Sequence, residues 1–299
     1  MGTAWDPDSI QHIDRNIAPV AHTSMYVWHK FWSRKTWNVV GEYIKNYSPP
    51  DGVVVDPFSG SGIVAMEALR NGRRAIICDI NPIAAAIARM TLQQVNLTQL
   101  LAAFQRVREN VADEIAELYL TDCRNCGHKF PFTAAVWDAG QLVDVRYEGC
   151  PECGDRRERD NPPSAWDLQL LASVETEPIP DWYPQNSFYY PSGKPFKEKQ
   201  KYESVDQLYT KRNLRALAAL MRAIDEEPTQ LLREFLRLAF TSMSHLCSKM
   251  MPVGNPKDTN HYTNFSSPGW TQHSFWSASR FMEQPVWARF NSAVTGLKA

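Results

Sequence analysis

Apolar residues recur along this chain with two periods, and their alternation lays out its first hundred residues. From Trp37, the stretch WNVVGEYIKNY places Val40, Tyr43, Ile44 and Tyr47 at helical spacing, and SPPDG at 48–52 stops the helix. The valines at 53–55 form a short, wholly apolar run, which predicts a buried parallel strand. After the loop DPFSGSG at 56–62, IVAMEALRNG predicts a helix closed by Asn71 and Gly72, and RRAIICDINP predicts a second buried strand ending in an acid. PIAAAIARM then starts a helix with proline in its first turn, and a longer amphipathic helix covers about 98–120. Strand, helix, strand, helix predicts an α/β fold: a parallel sheet with right-handed crossovers.

Beyond residue 120 the periods change. The region 121–160 carries two cysteine pairs around WDAGQLVDVRYEG, whose alternation predicts a β-hairpin, and its charged end breaks into RDNPPSAW. A Pro- and aromatic-rich stretch at about 161–203 shows no regular period. SVDQLYTKRNLRALAALMRAI and PTQLLREFLRLAFTSMSHLCSKMM predict two helices, and the tail from 252 reads as mostly irregular. The expected division is 1–120, 121–160 and 161–299, with no internal repeat.

Charge narrows the picture. Lys and Arg number 32 against 33 Asp and Glu, a formal net charge of -1 over 299 residues that are 43% hydrophobic. No field of the whole chain draws in nucleic acid, so a polyanion has to be held by local patches. The start MGTAWDPDSI has neither a basic head nor an apolar run, and no segment approaches the ~20 apolar residues of a membrane span, so no membrane association and a cytoplasmic location are expected. Four of the six cysteines form Cys-x-x-Cys pairs, which points to metal before disulfides; Cys78 and Cys247 read as buried filler.

The glycine loop raises the question of its ligand. Gly60, Ser61, Gly62 and the three residues after them fit the G-x-G-x-x-G/A dinucleotide pattern, and Asp79 follows at close to the ~20-residue interval of a ribose-binding acid. A nicotinamide or flavin enzyme therefore has to be considered, as does a plain strand-ending turn. Asp56 discriminates: a carboxylate at the mouth of the loop repels a pyrophosphate and attracts an ammonium group. S-adenosylmethionine combines an amine, a sulfonium, a carboxylate and a ribose. Asp56 serves its cations, the loop amides its carboxylate and Asp79 its ribose hydroxyls.

DPFSGSG followed by CDINP resembles the cofactor motif of the DNA methyltransferases that modify the exocyclic amine of adenine (N6) or cytosine (N4). HKFWSRKTWNVVGEYIKNYSPPDGVVV is similar to the segment that in this family precedes the motif and lines the methionine end of the pocket. The run from about 26 to 247 resembles the N-terminal half of large methylases that carry a zinc ribbon and a later LYTKRNLRAL-type helix. The resemblance implies a Rossmann-like, S-adenosylmethionine-dependent methyltransferase fold, incomplete in this chain, with a zinc-ribbon insertion and an α-helical region. It assigns Pro57 to the cofactor motif, puts Phe58 near the adenine or methionine part of the cofactor and has Ile80 and Asn81 flank the adenine. It also places Lys35 at the methionine end; relatives usually carry Lys-Pro where this chain has Lys35-Thr36.

The second chemical signal is the pattern C-x2-C, x23, C-x2-C formed by Cys123, Cys126, Cys150 and Cys153. Each pair supplies two thiolates from one turn, and four thiolates close a tetrahedron with no position left for water, so the expected zinc is structural. His128 reads as a surface residue beside a complete ligand set. Arg156, Arg157 and Arg159 read as a solvated charge run, with phosphate contact as the sharper alternative.

What the chain lacks is equally informative. Methyltransferases that flip a base present an Asp/Asn/Ser-Pro-Pro-aromatic loop at a strand end. NPPS at 161–164 and SPPD at 48–51 lack the aromatic and read as structural turns, so no catalytic residue is assigned. The expectation is a DNA methyltransferase fragment, inactive alone, with DNA and a C-terminal catalytic half or subunit as partners. The rivals are an RNA methyltransferase and a non-catalytic zinc-ribbon nucleic-acid-binding subunit. Lys194, Lys197, Lys199 and Lys201, interleaved with Phe196 and Tyr202, form the candidate DNA-contacting stretch, with a solvated loop as the alternative.

Overall fold

The computed structural model describes residues 10–31, 34–195, 203–253 and 279–296. Its contacts divide the chain into two compact units that meet in sequence at Asn96 and Leu97.

The first unit runs α1 (Ser24–Val27), α2 (Trp37–Tyr47), β1 (Val53–Asp56), α3 (Ile63–Arg70), β2 (Arg74–Ile77) and α4 (Pro82–Leu92). β1 and β2 pair in parallel, from Val53 opposite Arg74 to Asp56 opposite Ile77, with α3 as the crossover. The turns follow from local chemistry. Ser48 leaves the helical region ahead of Pro49 and Pro50, and Gly72, at φ +71, closes α3 so that its carbonyl accepts from the Asp51 N–H. Asn81 caps α4 by accepting from the Ile83 N–H at 3.1 Å, with Pro82 in the first turn. Tyr26, Ile63 and Met66 form the core with Trp37, Val40 and Leu92 packed against them.

The strands are not buried as the valine run predicts. α3 packs against both strands, yet Val53 is 43% exposed, Val55 63% and Ile76 61%. Cys78, expected as buried filler, lies exposed beyond Ile76. The reason is the strand period of 2: alternate side chains point to opposite faces, and α3 occupies only one of them.

The second unit opens with α5 (Leu97–Glu117), whose stripe Leu100, Ala103, Phe104, Val107, Val111 and Ile115 is buried. This helix, placed by the sequence with 1–120, makes its contacts within the second unit. β3 (Leu120–Asp122) and β4 (Lys129–Pro131) pair antiparallel. β5 (Ala134–Asp138) and β6 (Gln141–Arg146) form the expected hairpin, three residues longer at its start, turning at Ala139 and Gly140 with φ +49 and +83. Two positive φ values give the turn the twist that a two-residue hairpin needs.

Three regular elements contradict the expectation of irregular chain. α6 (Ala165–Thr176) lies in the 161–203 stretch, started by a capping box in which Ser164 accepts from the Asp167 N–H and Asp167 accepts from the Ser164 N–H. In the tail, β7 (Arg280–Glu283) pairs with β5, giving the order β6-β5-β7, and α9 (Val286–Thr295) follows. α7 (Lys211–Asp225) and α8 (Gln230–Ser244) are the two predicted helices, and together with α9 they pack around α5. The carboxylate of Glu283, fully buried, accepts from Trp137 Nε1 and Thr210 Oγ1, each at 2.7 Å, with Arg212 Nε 3.6 Å away. One acid thus ties the sheet to the start of α7, and its hydrogen bonds offset the cost of burying it. Among the described residues no helix is long and apolar enough to cross a membrane.

Candidate cofactor loop and metal centre

The loop between β1 and α3 is shaped by its glycines. Pro57 and Phe58 make the turn after the strand. The Ser59 N–H donates to the Cys78 carbonyl at 3.0 Å, and the Gly62 N–H returns to the Ser59 carbonyl at 2.9 Å. Gly60 has φ +51, and a Cβ there would meet the ring of Phe31 at 3.1 Å; Gly62 has φ +83, and its Cβ would stand 2.8 Å from that of Ala88. Both positions need glycine, because an L side chain is strained at positive φ and at Gly62 would also collide with α4. Ser59 and Ser61, on either side of Gly60, are buried.

Two carboxylates flank this loop. Asp56 Oδ1 accepts from the Phe58 N–H at 3.1 Å, while Oδ2 is buried without a hydrogen-bond partner, 3.6 Å from Lys35 Nζ. Asp79 accepts from the Gly60 N–H at 2.7 Å and from the Asn81 N–H at 2.9 Å. The Asn81 and Gly60 N–H groups hold its carboxyl below the usual carboxylate range, with Lys35 adding a smaller effect. Lys35, Asp56, Gly60, Ser61, Gly62 and Asp79 are therefore brought together. Phe58 and Ile80 stand 80% and 99% exposed beside them, and the Asn81 side chain is committed to capping α4.

A buried cluster that the sequence reading missed fastens the segment before α2 to α3. Tyr26 donates to Glu67 Oε1, and Arg70 Nη1 donates to the Tyr26 hydroxyl at 2.6 Å. The Tyr26 ring stacks on Trp37, and Arg70 lies over the Trp37 ring at 5.4 Å. Burial, with Glu67 beside it, pushes the Tyr26 hydroxyl up to about 12. A Cβ at Gly41 would reach within 2.8 Å of Glu67 Oε2, so α2 and α3 meet at glycine. The signal available in the sequence was Glu67 itself, an acid on the apolar stripe of α3.

In the second unit the four sulfurs of Cys123, Cys126, Cys150 and Cys153 lie within 4.8 Å of one another. A tetrahedron with Zn–S near ~2.3 Å has edges of about 3.8 Å. Cys123 and Cys153 are 3.5 Å apart, Cys126 and Cys150 3.6 Å. Gly127 and Gly154, at φ +74 and +73, turn each knuckle so that their N–H groups donate to the carbonyls of Cys123 and Cys150. Burial raises the Cys123 thiol, but the N–H groups of Cys126 and Asn125 and the neighbouring thiols outweigh it and leave Cys123 at about 6. Phe130 and Tyr147 pack edge to face beneath the knuckles at 5.1 Å, and the Tyr147 hydroxyl donates to Asp155 at 2.7 Å. His128 lies outside the cluster, stacked on Phe130. Arg157 pairs with Asp155 and Arg156 with Glu158, leaving Arg159 exposed.

Neither polar-Pro-Pro stretch presents a catalytic group. Asn161 is buried: its N–H and side-chain NH2 donate to Asp144 and the Val145 carbonyl, and its Oδ1 accepts from Arg124. Ser48 donates to the Ile44 carbonyl in the turn before β1. Of the lysine-aromatic stretch, 196–202 lies outside the described residues.

Comparison with curated proteins and with solved structures gave no match. Comparison with family models gave one: residues 5–90 match the N6/N4 methyltransferase family, described as DNA methylase. That span, which holds both strands of the first unit, the crossover helix and the glycine loop, is similar to the N6/N4 amino-group DNA methylase family.

Proposed function

We propose that the first unit binds S-adenosylmethionine at the 56–62 loop and serves methyl transfer to an exocyclic amine of adenine or cytosine in DNA. One observation carries the reading: Asp56 Oδ2 is a buried carboxylate oxygen without a hydrogen-bond partner at the mouth of a glycine loop. Such an oxygen is costly unless a donor meets it, and an ammonium group is the donor it suits. The family match supports the same cofactor.

When bound, the cofactor supplies an electrophilic methyl group. The chain's own part is to hold and orient. Asp56 holds the amino group, and Lys35 balances the surplus charge nearby. Asp79 has two oxygens with about four acceptor sites and uses one on each of two N–H groups, so it keeps capacity for ribose hydroxyls. The exposed faces of Phe58 and Ile80 flank the space an adenine would take. The four-cysteine cluster fits a closed, structural zinc site that folds the ribbon and takes no part in the chemistry. Asn161 is not given the acceptance of the target amine, because it is buried with its side chain bonded to Arg124 and the Val145 carbonyl.

Calorimetry with S-adenosylmethionine and NAD, followed by tritiated-methyl transfer on mixed-sequence DNA, tests this. The expected result is binding of the first ligand only, a loss of about tenfold or more in Asp56→Asn, and no turnover by the chain alone. Equal affinity in the variant overturns the donor site. Turnover that vanishes in Asn161→Ala overturns the assignment of that residue.

A further inference from the structure

A cavity of about 590 Å3 opens in the second unit between the β5–β7 pair, the short 3-10 turn at Asp206–Leu208 and the first turn of α7. That is within the usual size range of small-molecule sites. Its wall is aromatic, made by Trp137, Tyr183, Tyr209 and Phe281, with Trp137 and Phe281 stacked on each other at 6.1 Å and 6°.

Glu175, Asp206, Lys211 and Lys249 bring charges of both signs to the same cavity. Asp206 Oδ1 is buried with no hydrogen-bond partner. Lys249 is drawn in beside it, because its backbone N–H donates at 2.8 Å to the carbonyl of Leu208, on the turn that carries Asp206. Burial lowers the ammonium's pKa, and Glu175, Glu283 and Asp206 offset this only as more distant charges. The second lysine of the wall is already used, since Lys211 Nζ donates to the Glu175 carbonyl at 2.6 Å. A buried carboxylate oxygen with no hydrogen-bond partner is costly, so packing alone does not account for Asp206 at this cavity, with the half-buried Lys249 lining it as well. They suit a flat ligand that carries a donor and an acceptor side by side.

We propose that this cavity binds a nucleobase with an exocyclic amine beside a ring acceptor, the amine donating to Asp206, the ring nitrogen or carbonyl accepting from Lys249, and the base lying against the aromatic wall. Adenine, cytosine and guanine offer that edge, whereas thymine has no amine. Choosing a base over another flat amide rests on the DNA reading above. No residue of the glycine loop lines this cavity, and binding there is measured without a methyl donor.

The test is calorimetry of the whole chain with each of the four deoxynucleosides, and with S-adenosylmethionine on the same samples. Deoxycytidine, deoxyadenosine or deoxyguanosine should bind in the millimolar range or tighter, and thymidine about tenfold more weakly. Asp206→Asn should lose that preference, and Lys249→Met should weaken binding about tenfold. No binding at ~10 mM, equal binding of thymidine, or unchanged affinity in both variants would falsify the proposal. If S-adenosylmethionine binds and nucleosides do not, the cavity alone is refuted. Nucleoside binding without S-adenosylmethionine binding supports the cavity and refutes the donor site.

Discussion

Asp79 joins two demands at one carboxylate. It closes the glycine loop by accepting from Gly60 and Asn81, and under the proposed function it also receives ribose hydroxyls. Its folded pKa lies below the ordinary carboxylate value because those two N–H groups prefer the charged form. The sign follows: its contribution is fully present above the unfolded value near ~3.9 and is lost as pH falls through the lower folded value. Thermal unfolding below about pH 4 should therefore show a steeper loss of Tm in the native chain than in Asp79→Asn. Parallel slopes would mean that the carboxylate does not hold the loop. At the same scale Gly62 shows what sequence reading can reach. The G-x-G pattern marked it as special, but only the structure shows Ala88 as the atom that forbids a side chain there.

At the scale of elements, the ribbon is the clearest case of chemistry replacing a core. Around the knuckles the buried cluster is Cys123, Phe130, Tyr147 and Cys150, too little apolar surface to hold them by itself, whereas the β5–β6 hairpin is buried against β7 through Ala134 and Val136. The native chain should contain about one equivalent of zinc by elemental analysis. A strong chelator, or Cys150→Ser, should expose the knuckles at 123–131 and 147–157 to limited proteolysis while the β5–β6 hairpin, paired with β7, stays protected and the α7 and α8 helices persist in circular dichroism. Protection unchanged after complete metal removal would contradict a structural role. The elements legible in the sequence were those whose signals are local: the helices with strong stripes, the βαβ start and the cysteine spacing. α6 was local too, and Ser164 with Asp167 three residues on was a visible capping box hidden by the surrounding prolines. β7 was not legible, because four residues become a strand only through pairing with β5, more than a hundred residues earlier. The Tyr26, Glu67 and Arg70 cluster was hidden for the same reason, being joined across 41 and 44 residues of chain.

At the scale of the molecule, each unit closes a core from its own residues, but the first leaves one face of its sheet bare. Parallel sheets ordinarily have both faces covered. Among the described residues, Val53, Val55 and Ile76 are exposed on a two-stranded ribbon with two free edges. Salt then acts on this chain in a direction opposite to its effect on charge-driven association. Ion pairs such as Lys35–Asp56 weaken with ionic strength, whereas a strongly hydrated anion such as sulfate favours burial of the valine face. Sedimentation velocity in rising ammonium sulfate should show self-association well before precipitation, and Val55→Lys should move its onset to higher salt. An onset indifferent to that substitution would assign the association to another surface. The bare face thus makes the chain's solubility a matter of which salt surrounds it, and phosphate or sulfate buffers become the conditions most prone to drive copies together.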